Sequence, residues 1–152
     1  MGKKQNVIPE TNTSIFDNMT NEQIRYWCKE YYEKFIGTTV KNDCTGITIG
    51  FKRRGRKKTA FGSSVSKRKA AVVKILDQVL KCAVSTNWGD RKNDDPEDVI
   101  GYLNFKCKIL IDGKIFHFLL NVQLCNVDKN RYCFHYSLDE CRFGFTTKKQ
   151  TS

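Results

Sequence analysis

The segment from Leu103 to Val122 constrains the fold more than any other. Leu103, Phe105, Cys107, Ile109 and Ile111 alternate with Asn104, Lys106 and Lys108, and Phe116, Phe118, Leu120 and Val122 repeat the pattern after Asp112-Gly113. An apolar period of two belongs to a strand with one buried face. Asp-Gly favours a two-residue type I′ turn, in which both central residues take positive φ and the turn's twist matches that of the strands. Closing the turn there sets Ile111 opposite Lys114, then pairs Ile109 with Phe116, Cys107 with Phe118, Phe105 with Leu120 and Leu103 with Val122. A slip of one residue would move every apolar side chain to the wrong face, so turn and pattern specify the same register.

The rest of the chain is read around this hairpin. A third strand over Arg131–Leu138 follows a turn at Asn126–Asn130. If its alternating set Tyr132, Phe134, Tyr136 and Leu138 faces the core, the opposite face carries Lys106, Lys108, His117, Asn121, Gln123, Arg131, Cys133, His135 and Ser137, and so both histidines of the protein. Upstream, Thr20-Asn21-Glu22-Gln23 is a capping box, and Ile24, Trp27, Cys28, Tyr31 and Phe35 form the apolar stripe of a helix that Gly37 stops. Thr38–Lys41 is β-prone, Asn42-Asp43 is a turn, and Ile47, Ile49 and Phe51 alternate as a strand. Lys52-Arg53-Arg54-Gly55-Arg56-Lys57-Lys58 reads as a hairpin tip that re-enters a strand at Thr59–Phe61. After the Gly62-Ser63-Ser64 break, Ser66 caps a second helix near 67–83, and 85–98 is a polar loop. The expected fold is α+β: two helices packed on a largely antiparallel sheet ending in a three-stranded meander. A single domain is expected over 18–145, with a flexible arm at 1–17 and a flexible tail at 146–152.

The charge is concentrated. The chain holds 27 Lys and Arg against 16 Asp and Glu, net +11, yet ten basic residues and no acidic one fall between Cys44 and Leu76. About ten of the eleven excess charges therefore occupy 33 residues, which points to a polyanionic partner. Lys67, Arg68 and Lys69 stand in the first turn of the second helix, where the helix dipole disfavours cations. A bound phosphate would favour them.

Several classes are set aside. No apolar run reaches the length of a membrane span, and none follows the basic start, so no secretory signal is expected. Seven cysteines occur without a CxxC pair, which reads as free thiols rather than a zinc site. No metal or other cofactor is expected. The usual nucleotide-binding and hydrolase motifs are missing. Histidine with Lys and Arg remains, and that set suits metal-independent RNA cleavage. One imidazole takes the 2′-OH proton, another group protonates the leaving oxygen, and cations stabilise the charge of the transition state.

The runs FKRRGRKKTAFGSSVSKRKAAVVKILDQVLKCAV, YLNFKCKILIDGKIFHFLLNVQL and RYCFHYSL resemble the small phage nuclease-like domains of the barnase–EndoU–colicin–RelE superfamily, and most of all its large polyvalent protein-associated members. The resemblance spans roughly Thr38 to Leu138. It implies a compact α+β domain, metal-free RNase chemistry in active relatives, and a phage or mobile-element setting. The positions that could carry such chemistry are His135, His117, Lys67, Arg68 and Ser137. Lys52, Arg53, Arg54, Arg56, Lys57, Lys58 and Lys69 would hold an RNA or DNA backbone. Three readings follow: a toxin-like ribonuclease, a non-catalytic nucleic-acid-binding protein, and a virion or host-interaction protein that meets an acidic partner. An immunity protein is a further partner of the first. The expected location is the cytoplasm of a host cell or a virion.

Overall fold

In the computed structural model, which describes residues 7–60 and 66–141, seven strands form one mixed sheet and four α-helices accompany it. In chain order these are β1 (Glu10–Thr11), α1 (Asn21–Tyr32), β2 (Thr39–Lys41), β3 (Thr48–Phe51), α2 (Arg53–Ala60), α3 (Lys67–Lys74), α4 (Leu76–Cys82), β4 (Val84–Asp90), β5 (Val99–Ile111), β6 (Lys114–Val127) and β7 (Asn130–Cys141). The strands lie in the order β1-β5-β6-β7-β3-β2, with β4 also paired to β5. The class is α+β, as expected, but the helices number four rather than two. The sheet is also mixed: β7 is followed by β3 running parallel to it, and β1 runs parallel to β5.

The hairpin has the register its sequence specifies, with all five expected pairs present. Asp112 and Gly113 have φ of 51° and 82°, the two positive values a type I′ turn requires. Asp128 and Lys129 repeat this with φ of 51° and 69° between β6 and β7, without a glycine. The capping box of α1 is formed, with Thr20 and Gln23 bonded reciprocally. Asn42 is fully buried, and its amide donates to the carbonyls of Leu80 and Ala83 at 2.7 and 2.9 Å. Those carbonyls lack helical partners at the end of α4, so one side chain satisfies them and ties the β2–β3 turn to the helix.

Three secondary-structure expectations are corrected. Residues 53–60 form the helix α2, not a hairpin tip leading to a strand at 59–60; Phe61, Gly62-Ser63-Ser64 and the tail lie outside the described residues. Arg and Lys are good helix formers, and a single glycine among them does not make a turn. The helix near 67–83 is broken at Ile75, whose φ of −119° separates α3 from α4. The polar loop is shorter, because Val84–Asp90 pairs with β5 as an edge strand. Within the expected arm, Glu10–Thr11 pairs with β5 and Phe16 is fully buried.

A bulge decides what each face of β7 presents. Asn121 pairs with Ser137, but the next residue of β6, Val122, pairs with His135, which leaves Tyr136 as the extra residue. Such a slip inverts the alternation beyond it. Leu138 faces the main core, with Phe105, Phe118 and Leu120. Past the bulge, Cys133 and His135 turn to that side, while Phe134 and Tyr136 pack on the opposite face against Val99, Tyr102 and Cys125. His135 is therefore not on the polar face where an unbroken alternation would put it.

Candidate nucleic-acid interface

Helix α2 is intrinsically poor. It has cations in its first turn, like-charge pairs one turn apart at Arg53/Lys57 and Arg54/Lys58, and a glycine at its centre. Tertiary contacts hold it. It follows β3 and lies against β7, and a Cβ on Gly55 would stand 2.3 Å from the His135 carbonyl oxygen and 2.4 Å from the Tyr32 hydroxyl. Only glycine lets the helix backbone come this close.

The cations of α2 divide by face. Arg54 is a clamp: one of its terminal nitrogens donates to both carboxylate oxygens of Asp98 at 3.2 Å, and the other to Gln123 Oε1 at 3.1 Å. Burial pushes the Asp98 carboxyl up, but the Arg54 hydrogen bond and charge outweigh it and hold it below the usual range. Arg56 pairs with Glu33 beyond the end of α1. Lys52 sits with its Nζ 4.1 Å from the centre of the Phe134 ring. Arg53, Lys57 and Lys58 are exposed and make no ion pair with a described residue.

The start of α3 is compensated from within the protein. Lys67 approaches Asp17 at 3.7 Å, and Arg68 Nε bonds Glu140 at 3.0 and 3.2 Å while its guanidinium lies over Phe116. Ser66 caps the helix through the Lys69 N–H. Lys69 itself is buried; desolvation pulls its pKa down, against the nearby charge of Asp139. Its burial sets Lys69 apart from the exposed cations Arg53, Lys57 and Lys58. Carboxylates meet the charge demand at Lys67 and Arg68 that the sequence assigned to a bound phosphate.

The two histidines are not brought together. His135 is 1% exposed, and its Nδ1 lies 2.8 Å from the Tyr32 hydroxyl and its Nε2 3.2 Å from the Ser137 carbonyl oxygen. A carbonyl only accepts, so Nε2 carries the proton and Tyr32 donates to Nδ1, with both ring nitrogens occupied. Desolvation drives its pKa down to about 3, keeping the ring neutral. His117 is half-buried on β6, opposite Lys108 and Cys141. It lies five residues along β6 from Val122, the pairing partner of His135, roughly 16 Å at strand spacing. Phe118, Leu120 and Val122 face the core from β6, so His117 belongs to the other side of the sheet.

That other side holds a cleft that sequence reading missed. It is about 550 Å³, bounded by residues 89–95 and by β5, β6 and β7, with Lys58 of α2 at one wall and Ser137 in its lining. Tyr102 and Tyr136 stand 5.9 Å apart in its wall. Asn121 donates to Asn104 Oδ1 at 2.6 Å, and Asn104 to the Asn87 carbonyl at 3.2 Å, an amide ladder running across three strands. The uninterrupted Tyr132, Phe134, Tyr136 alternation gave no sign of the bulge. The β-prone Val84, Thr86 and Trp88 are the one local signal that could have revealed β4.

Among the described residues, no helix is long and apolar enough to cross a membrane. Fold and site together define a small α+β domain with a cationic helix docked on a mixed sheet. The family described as large polyvalent protein-associated domain 3 matches residues 19–133, and the chain belongs to that family. Comparisons with curated proteins and with solved structures found no match.

Proposed function

We propose that this is a non-catalytic nucleic-acid-binding domain that holds a phosphate backbone on the exposed face of α2, in a phage or mobile-element setting, within a host cell or a virion. One observation carries the reading. Arg53, Lys57 and Lys58 present an exposed cationic surface without described acidic partners, while Arg54, Arg56, Lys67 and Arg68 are each held by a carboxylate of the same protein. Three cations held on one helix lose less freedom on binding a polyanion than the same charges on a mobile loop.

Binding is favoured over cleavage by the state of His135. An imidazole whose two nitrogens are bonded within the core has no lone pair for a 2′-OH proton, and His117 stands on the other side of the sheet. The test is anisotropy of a labelled RNA strand in EDTA, with strand integrity followed on a gel. Wild type should bind and leave the strand intact, and the Arg53→Ala/Lys57→Ala/Lys58→Ala variant should lose most of the affinity. Undiminished binding by that variant refutes the interface. Cleavage that disappears in His135→Ala restores the ribonuclease reading.

A further inference from the structure

The cleft on the outer face of the sheet adjoins α2 through a shared residue. Lys58 is one of the three exposed cations of the helix, and its Nζ lies 5.8 Å from the centre of the Tyr136 ring. Tyr136 is the bulge residue of β7, and Tyr102 packs beside it at 45°. A volume near 550 Å³ falls in the roughly 300–1,000 Å³ range of small-molecule sites, enough for planar rings.

The lining has a definite polarity. The carboxylates Asp90, Asp94, Asp95 and Asp139 outnumber the cations Lys58 and Lys92, so the cleft is a poorer place for phosphate than the exposed face of α2. The cleft's cationic donors, Lys58 and Lys92, lie over the Tyr136 and Tyr102 rings, and acceptors stand beside them. Asp139 is exposed and makes no hydrogen bond or ion pair with a described residue, and the Asn121 nitrogen is committed to Asn104, which leaves the Asn121 carbonyl oxygen to accept. Acceptors beside an aromatic wall match the exocyclic amino groups of cytosine, adenine and guanine. A base can enter the cleft and stack on its wall only when it is unpaired. Stacking on aromatic side chains tolerates any base and is the usual partner of a cationic backbone track in single-strand binding.

We infer that the cleft receives unpaired, amino-bearing bases of a single strand whose phosphates run along α2. The inference rests on the phosphate reading above and names its substrate class. The excess of carboxylates over cations in the cleft orients the strand: phosphates toward Arg53, Lys57 and Lys58, bases toward Tyr136 and Asp139.

The test measures anisotropy of labelled cytidine and uridine homopolymers and of a duplex of equal length, with the full chain in EDTA. The single strands should bind tighter than the duplex, and cytidine tighter than uridine. Tyr136→Ala should cost roughly ten-fold on the single strands and nothing on the duplex, while Tyr136→Phe binds as wild type. Asp139→Asn, on an exposed residue, should remove the preference for cytidine without altering the circular dichroism. Equal binding of single strand and duplex, with both variants unchanged, overturns the base cleft; if the triple α2 variant then still loses affinity, the phosphate reading stands. Absence of binding to all three nucleic acids overturns both.

Discussion

Replacing Gly55 by alanine tests the docking of α2, because two contexts predict opposite signs. In an exposed helix, glycine to alanine stabilises by about 1 kcal/mol through backbone entropy. Here the added methyl carbon would meet the His135 carbonyl oxygen at 2.3 Å and the Tyr32 hydroxyl at 2.4 Å. The carbonyl belongs to β7, paired with β6 on one side and β3 on the other, and cannot yield without disturbing the sheet. The hydroxyl is bonded to His135 and cannot rotate away without leaving a buried imidazole nitrogen unsatisfied. Overpacking of this kind costs about 1–3 kcal/mol, and the lost buried hydrogen bond about 1–3 kcal/mol more. After the propensity gain, the net destabilisation should be about 2 kcal/mol or more. Urea unfolding at neutral pH, followed by tryptophan fluorescence, measures it; Trp27 reports the core, packed against Phe16 and Tyr31. The melting temperature should fall by about 4–8 °C. A variant as stable as wild type, or more so, would refute the docking of α2 on β7.

His135 makes stability depend on pH. Its folded pKa lies near 3, below the ordinary 6.5, so the stabilisation is complete above pH 6.5 and is lost as pH falls from there toward 3. Between about pH 7.5 and about pH 5 the loss should be about 2 kcal/mol, and urea midpoints of wild type and His135→Gln at both pH values check it: the variant should be weaker at the higher pH and flatter between the two. Arg54→Ala should cost about 1–2 kcal/mol, since the Asp98 ion pair is partly solvated but the bond to buried Gln123 is not; a thermal melt within error of wild type counts against the clamp. Ser66→Ala should cost about 1 kcal/mol by removing the cap of α3, read from the same melts.

The parts of the fold that were legible are those where local chemistry and long-range packing agree. Asp112-Gly113 and its flanking alternation fix one register, and Thr20 with Gln23 fixes the start of α1. The face of β7 was not legible, because both sides of this strand find apolar partners: Tyr136 packs on Tyr102, and Leu138 in the main core. Alternation marks a core face only when the other face is wet. The basic stretch was legible as a concentration of charge but not as a shape. Gly55 read as a turn, although its role is a contact with a strand eighty residues downstream. The partners of Arg54, Arg56, Lys67 and Arg68 come from Asp98, Glu33, Asp17 and Glu140, and no local pattern links residues so far apart. A stretch that is uniformly cationic in sequence is thereby reduced in space to the outer face of one helix.

The salt dependence of affinity tests that reduction most directly. With Arg53, Lys57 and Lys58 as the contacts, a log–log plot of the binding constant against salt should have a slope of about −2 on a single strand. The slope should approach zero when the three are replaced by alanine. A wild-type affinity that does not change with salt, or a slope unaltered in the variant, would contradict the account.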